Sequence, residues 1–234
     1  MTEFAQAIQA WLSPIYVSPH GEGGHDLIHV CAIEKLGLRI AQFLSFDPEE
    51  YRVASWLHNL DRCFALQPEI QRAGGLKQYL GAILGRSPFN EASRNRIVDA
   101  ILQHSKRLDE PADSSLLTAL RIADRVERFT PLNIIASAAH RGHELPLYDR
   151  SQPFGFRTMR PCVFKFFFWN LEWVGMLPSD EARALINPAY LRFFLDFLRL
   201  LGRDIAEREG IENRVEEDLK AALGAYYEKW ALNH

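Results

Sequence analysis

The chain has little cysteine, no long uninterrupted apolar run, no excess of basic charge and few strand signals. Three cysteines in 234 residues, Cys31, Cys63 and Cys162, are odd in number, far apart and form no CxxC pair. That excludes a disulfide framework and argues against a zinc knuckle, and a reducing cytoplasm is the expected compartment. The net charge of −3 offers no broad cationic field, so general nucleic-acid binding is not expected. The most apolar stretch, VFKFFFWNLEWVGML, is interrupted by Lys165, Asn170 and Glu172. It falls short of the roughly 20 apolar residues a bilayer span needs and is expected as a core helix, without membrane association. MTEFAQAIQAWLSPIY lacks a basic segment followed by an apolar core, so no signal peptide is expected there. No Pro/Gly/Ser-rich linker interrupts the chain, and one domain spanning 1–234 is expected.

What is present is helical periodicity. In SFDPEEYRVASWLHNL, Asp47 is placed to cap, Pro48 suits the first helical position, and Glu50 completes a capping box. A helix should start there and carry His58 and Asn59 near its end. In NPAYLRFFLDFLRLLGRDIAEREG, Asn187 caps, Pro188 opens and Gly210 closes a second clear helix. Ile211, Val215, Leu219, Leu223, Tyr226 and Trp230 then form one apolar stripe, expected on a single last helix. HDLIHVCAIEKLGLRIAQFL, NEASRNRIVDAILQHSKR and SSLLTALRIADRVERF also place apolar residues three and four apart. Loops are expected at SPHGEGG, RLDEPAD and HELPLYDRSQPFGFRTMRP. The fold class is therefore all-α, a single-domain helical bundle. Its Phe-rich stretch from 163 to 200 suits either a core or the face of a homodimer.

Polar residues on these apolar stretches carry the chemistry. His25 and His29 are four apart and would share a helix face. His58 and Asn59 are adjacent, so both reach one ion only over a groove between helices. His104 in ILQHSK and Asp124 in RIADRVERF lie on apolar helical stretches, where an unpaired polar side chain is costly. Each has an ordinary alternative: a histidine hydrogen-bonded within the core, Asp124 paired with Arg121, Arg125 or Arg128, or Asp26 as a helix cap. Taken together, several helices each offer one inward N or O donor, as helical bundles do when they build metal sites.

The order HDLIHV, ASWLHNLD, ILQHS, RIADRVERF resembles the HD superfamily of metal-dependent phosphohydrolases. Its pattern is a histidine on one helix, a His-Asp pair closing a second, and an aspartate on a later helix. The opening GHD-x-x-H, the turn ELPLYDR and the segment KFFFWNLEWVGMLPSDEARALINPAYLRFFLDFL are similar to a branch of small bacterial HD proteins, so the likeness covers roughly 24–200. It implies an HD-like core at about 20–130 with a helical C-terminal extension at about 131–234. It implies His29, His58 and Asp124 as ligands of a divalent metal, with Asn59 in the place of the fourth. His25 and Asp26 would stand behind them, His25 alternatively holding a second metal, and His104 would line the pocket, with a catalytic part.

Asparagine keeps the shape of aspartate and one carbonyl oxygen but removes a full negative charge from the ion's surroundings. Two imidazoles, a carboxylate and an amide suit Mn²⁺, Fe²⁺, Ni²⁺ or Zn²⁺ better than Ca²⁺, with Mg²⁺ also among the candidates. Asp61, three residues beyond His58, is a candidate to restore the charge or act as general base. Arg62, Lys106, Arg125 and Lys165 are candidates for phosphate contacts. Trp56 and Phe64 suit either the core or stacking on a base. The expected activity is metal-assisted hydrolysis of a small phosphorylated metabolite, with a nucleotide favoured. The alternative is a degenerate HD module that binds such a ligand or regulates a partner without turnover.

Overall fold

The computed structural model describes residues 2–17, 26–106 and 109–232, and among them all regular structure is helical. The chain forms two compact units, 1–124 and 125–234. In the first, α1 is Glu3–Tyr16, α2 Leu27–Ile40, α3 Pro48–Leu57, α4 Gln67–Arg72, α5 Leu76–Leu84 and α6 Glu91–Gln103. α7, Ser115–Glu127, contains the boundary between the units, whereas the sequence reading put the change from core to extension near 130.

α3 organises the first unit, packing on α1, α2 and α6. It is buried almost all round, including Tyr51, Val53, Ala54, Trp56 and Leu57, as expected of a helix at the centre of its layer. Val53 and Leu57 each contribute about 1.5–3 kcal/mol by leaving water. Asp47 caps α3 by accepting from the Glu49 and Glu50 amides at 2.8 and 3.1 Å. The Glu50 carboxylate, expected to complete the box, is instead 3% exposed and accepts from Arg96 of α6. Its charge is thereby paired where burial would otherwise be costly.

The approach of α2 to α3 is set by Gly37. A Cβ there would lie 2.1 Å from Cε1 of Tyr51, whose hydroxyl donates to the Ile33 carbonyl at 2.8 Å. Tyr16 of α1 donates to the Trp56 carbonyl, also at 2.8 Å. Glu34 of α2 accepts from Trp56 Nε1 and from Arg52 Nε, each at 2.8 Å. Two helices, α1 and α2, thus hold α3 toward the end where His58 follows.

The second unit contains α8, Pro131–Gly142, α9, Val163–Met176, α10, Asp180–Arg183, α11, Pro188–Glu209, and α12, Val215–Leu223. α11 is capped by Asn187 and closed by Gly210 at φ +65°. In place of the single last helix expected over the stripe, α12 ends at Leu223, and Gly224 at φ +54° breaks the stripe before Tyr226 and Trp230. Phe164, Phe167 and Phe168 of α9 are core residues, and Phe167 packs edge-on against Phe194 of α11. Tyr190, Phe193 and Leu200 of α11 remain exposed. No helix among the described residues is long and apolar enough to cross a membrane.

Candidate metal centre

Three helices bring the site together, each with its site residue in the first unit. Asp26 caps α2, its carboxylate accepting from the His29 amide at 3.0 Å. This is the capping role open to it from the sequence, and it sets His29 in the first turn with its side chain buried. His25 lies outside the described residues. α3 ends at His58, whose Nδ1 is 2.7 Å from the Ser55 carbonyl. A carbonyl only accepts, so Nδ1 carries the proton and Nε2 keeps its lone pair. α7 supplies Asp124 from a stretch otherwise lined by buried Leu116, Leu120 and Ala123.

The donors converge. His29 Nε2 is 3.1 Å from His58 Nε2 and 3.7 Å from Asp124 Oδ1, and one donor atom from each residue lies within 4.8 Å of the others. Two ligands about 2.1 Å from a shared ion stand about 3 Å apart at right angles and about 4.2 Å apart in line. The set therefore fits one divalent cation. All three are nearly inaccessible to water, at 2%, 0% and 6% exposure. Burial, followed by the neighbouring His104 and His29, holds the His58 imidazole well below its ordinary range, outweighing Asp124 and the Ser55 carbonyl. It is neutral near pH 7, the form a metal requires.

Asn59 follows directly, 3% exposed, with Nδ2 2.7 Å from His58 Nε2. Its amide donates to the lone pair that a cation would use. His104 ends α6, its Nδ1 2.6 Å from the Ile101 carbonyl. Its ring meets that of His58 edge-on, centroids 5.1 Å apart. Half-buried, it borders the cluster.

The other candidates lie in different settings. Asp61 is on the short 3-10 turn Leu60–Arg62 and pairs with Arg62 at 3.5 Å, both side chains being more than 40% exposed. Lys106 is exposed and donates to Gln103 Oε1 at 3.3 Å. Arg125 and Lys165 belong to the second unit and are buried: Arg125 donates to the Met176 carbonyl at 2.9 Å, Lys165 to that of Met159. Trp56 is core, whereas Phe64 is 59% exposed.

Sequence reasoning missed two supports. The Ser55 carbonyl that orients His58 is backbone and has no residue signature. Arg121, a possible partner for Asp124 on sequence grounds, is buried and reaches Asp109, Asp113 and the Gln103 carbonyl, tying the loop after α6 to α7. Asp109 and Asp113 in RLDEPAD were the available signal.

The sequence matches no family model and none of the curated proteins compared with it. Solved structures are similar in fold. A Lactobacillus plantarum protein solved by structural genomics is 18% identical with a TM-score of 0.64, covering 89% of this chain and 97% of its own. Bacillus subtilis YpgQ in its selenomethionine form gives 18% and 0.61, covering 90% and 98%. YpgQ in complex with ADP gives 19% and 0.57, covering 86% and 97%.

Proposed function

We propose that this chain is a metal-dependent phosphohydrolase of the HD type, acting on a small phosphorylated metabolite, with nucleotides the favoured class. The observation that carries the reading is the buried His29–His58–Asp124 cluster, with donor atoms within 4.8 Å of one another. A similar fold has been crystallised with ADP, which supports a nucleotide. A divalent cation bound there supplies Lewis acidity toward a phosphoryl oxygen and acidifies water toward neutrality. The chain's own residues do the rest. Ser55 fixes the His58 tautomer, the Asp26 cap fixes the start of α2 below His29, and Asp124 provides charge. In this reading His104, at the edge of the cluster, takes the proton of attacking water as phosphorus gains that oxygen and loses the leaving group.

The test is hydrolysis across a nucleotide panel with added Mn²⁺, using wild type and His58→Ala. Turnover in the first and its loss in the second is expected, and no turnover with any nucleotide would overturn the reading. A second reading, a binding or regulatory module without turnover, is favoured by Asn59. If Asn59→Asp creates hydrolysis absent from the wild type, that reading holds.

A further inference from the structure

We infer that Asn59 makes cation binding depend on the anionic ligand: the cluster holds its divalent ion firmly only when a phosphate group binds with it. The inference rests on the proposed function and deepens it by naming how that site is regulated. Two observations carry it. The first is charge. Among the described residues the cluster has one carboxylate, Asp124, with two imidazoles, and Asn59 adds a buried neutral amide. A divalent cation would therefore keep one uncompensated positive charge in a site nearly closed to water, where unbalanced charge is expensive. Asp61 is poorly placed to make up the difference, since its side chain is 42% exposed and already faces Arg62. A phosphate oxygen brought by the ligand supplies the missing negative charge at the ion itself.

The second observation is the orientation of Asn59. Its Nδ2 lies 2.7 Å from His58 Nε2, so without an ion the lone pair accepts a hydrogen bond from the amide. A cation must displace that bond before it can use His58. An aspartate at this position would have no donor to offer and would add a negative charge beside the ion. Asparagine thus stabilises the metal-free arrangement and weakens the metal-bound one, and the ligand's charge reverses the balance. By reciprocity, the cation must tighten phosphate binding by the same factor.

The experiment is titration of the intact protein with Mn²⁺, reading free ion by electron paramagnetic resonance, with and without inorganic phosphate and corrected for Mn²⁺–phosphate association in protein-free buffer. Phosphate is expected to tighten Mn²⁺ binding to the wild type about tenfold or more, within the usual range of couplings between sites. Asn59→Asp is expected to bind Mn²⁺ alone at least about tenfold more tightly than wild type, with phosphate adding less than about threefold. Asn59→Ala, which lacks the donor but adds no charge, should keep the phosphate dependence, and the wild-type titration stands without either variant should one fail to fold. Tight wild-type binding that ignores phosphate overturns this inference and leaves the phosphohydrolase reading standing. Absence of Mn²⁺ binding by wild type and Asn59→Asp, with and without phosphate, overturns both. Binding by Asn59→Asp alone overturns the coupling and favours the binding module.

Discussion

His29, His58 and Asp124 are legible in the sequence because each is a polar side chain on an otherwise apolar helical stretch, where burial demands a partner. Their convergence agrees with that reasoning. The direction of the Asn59 amide is not legible, because it depends on where the His58 lone pair points, and that is fixed by a backbone carbonyl. Asp61 shows the opposite limit: its spacing from His58 suggested the pocket, but the chain leaves α3 in a 3-10 turn and its exposed side chain faces Arg62. Asp124 is the carboxylate of the described cluster. Asp124→Asn keeps the shape and should weaken Mn²⁺ binding in the presence of phosphate by more than about 100-fold, beyond the 10–100-fold typical of residues one step removed from a metal. The same titration checks it, with thermal unfolding to show that the variant is folded, and unchanged affinity would remove Asp124 from the site.

At the scale of elements, caps carried most of the information. Asp47 with Pro48, and Asn187 with Pro188 and Gly210, mark helix ends that the structure places at those residues. The apolar stripe after Gly210 misled, because helical spacing continued past Gly224 while the backbone there took a positive φ. The α2–α3 contact was also hidden, since nothing local to Gly37 indicates that the Tyr51 ring rests on it. Gly37→Ala should destabilise the protein by about 1–3 kcal/mol, as overpacking does, because Tyr51 is buried with its hydroxyl bonded to the Ile33 carbonyl. Since α2 carries His29, Mn²⁺ binding should weaken as well, and an unchanged melting temperature would contradict the packing account.

The long loop before α9 offers a pH test. The Ser151 hydroxyl, then the Arg160 amide, hold the Asp149 carboxyl down to about 2 from an ordinary 3.8. With its folded value depressed, Asp149 stabilises the native state above pH 3.8, and that contribution is lost as pH falls toward about 2. Asp149→Asn should therefore be less stable than wild type at pH 6, with the gap narrowing across that window in acid melts. A constant gap would show that the carboxylate charge is not the cause.

For the whole molecule, the division into two units says where a ligand should be felt. His29, His58 and Asp124 all belong to the first, so Mn²⁺ with phosphate should slow amide hydrogen exchange in α2, at the end of α3 and around Asp124 in α7. Protection confined to the second unit would place the ligand elsewhere. The all-helical class was readable from periodicity alone, but the division inside α7 was not, because that helix runs through it without a break in its apolar pattern.

The most direct measurement of the central claim is anomalous diffraction at the manganese edge from crystals grown with Mn²⁺ and inorganic phosphate. The account expects one strong peak about 2.0–2.3 Å from Nε2 of His29, Nε2 of His58 and a carboxylate oxygen of Asp124, with a phosphate oxygen on the same ion. An ordered cluster with no peak, His58 still bonded to His29 and to Asn59, would contradict it.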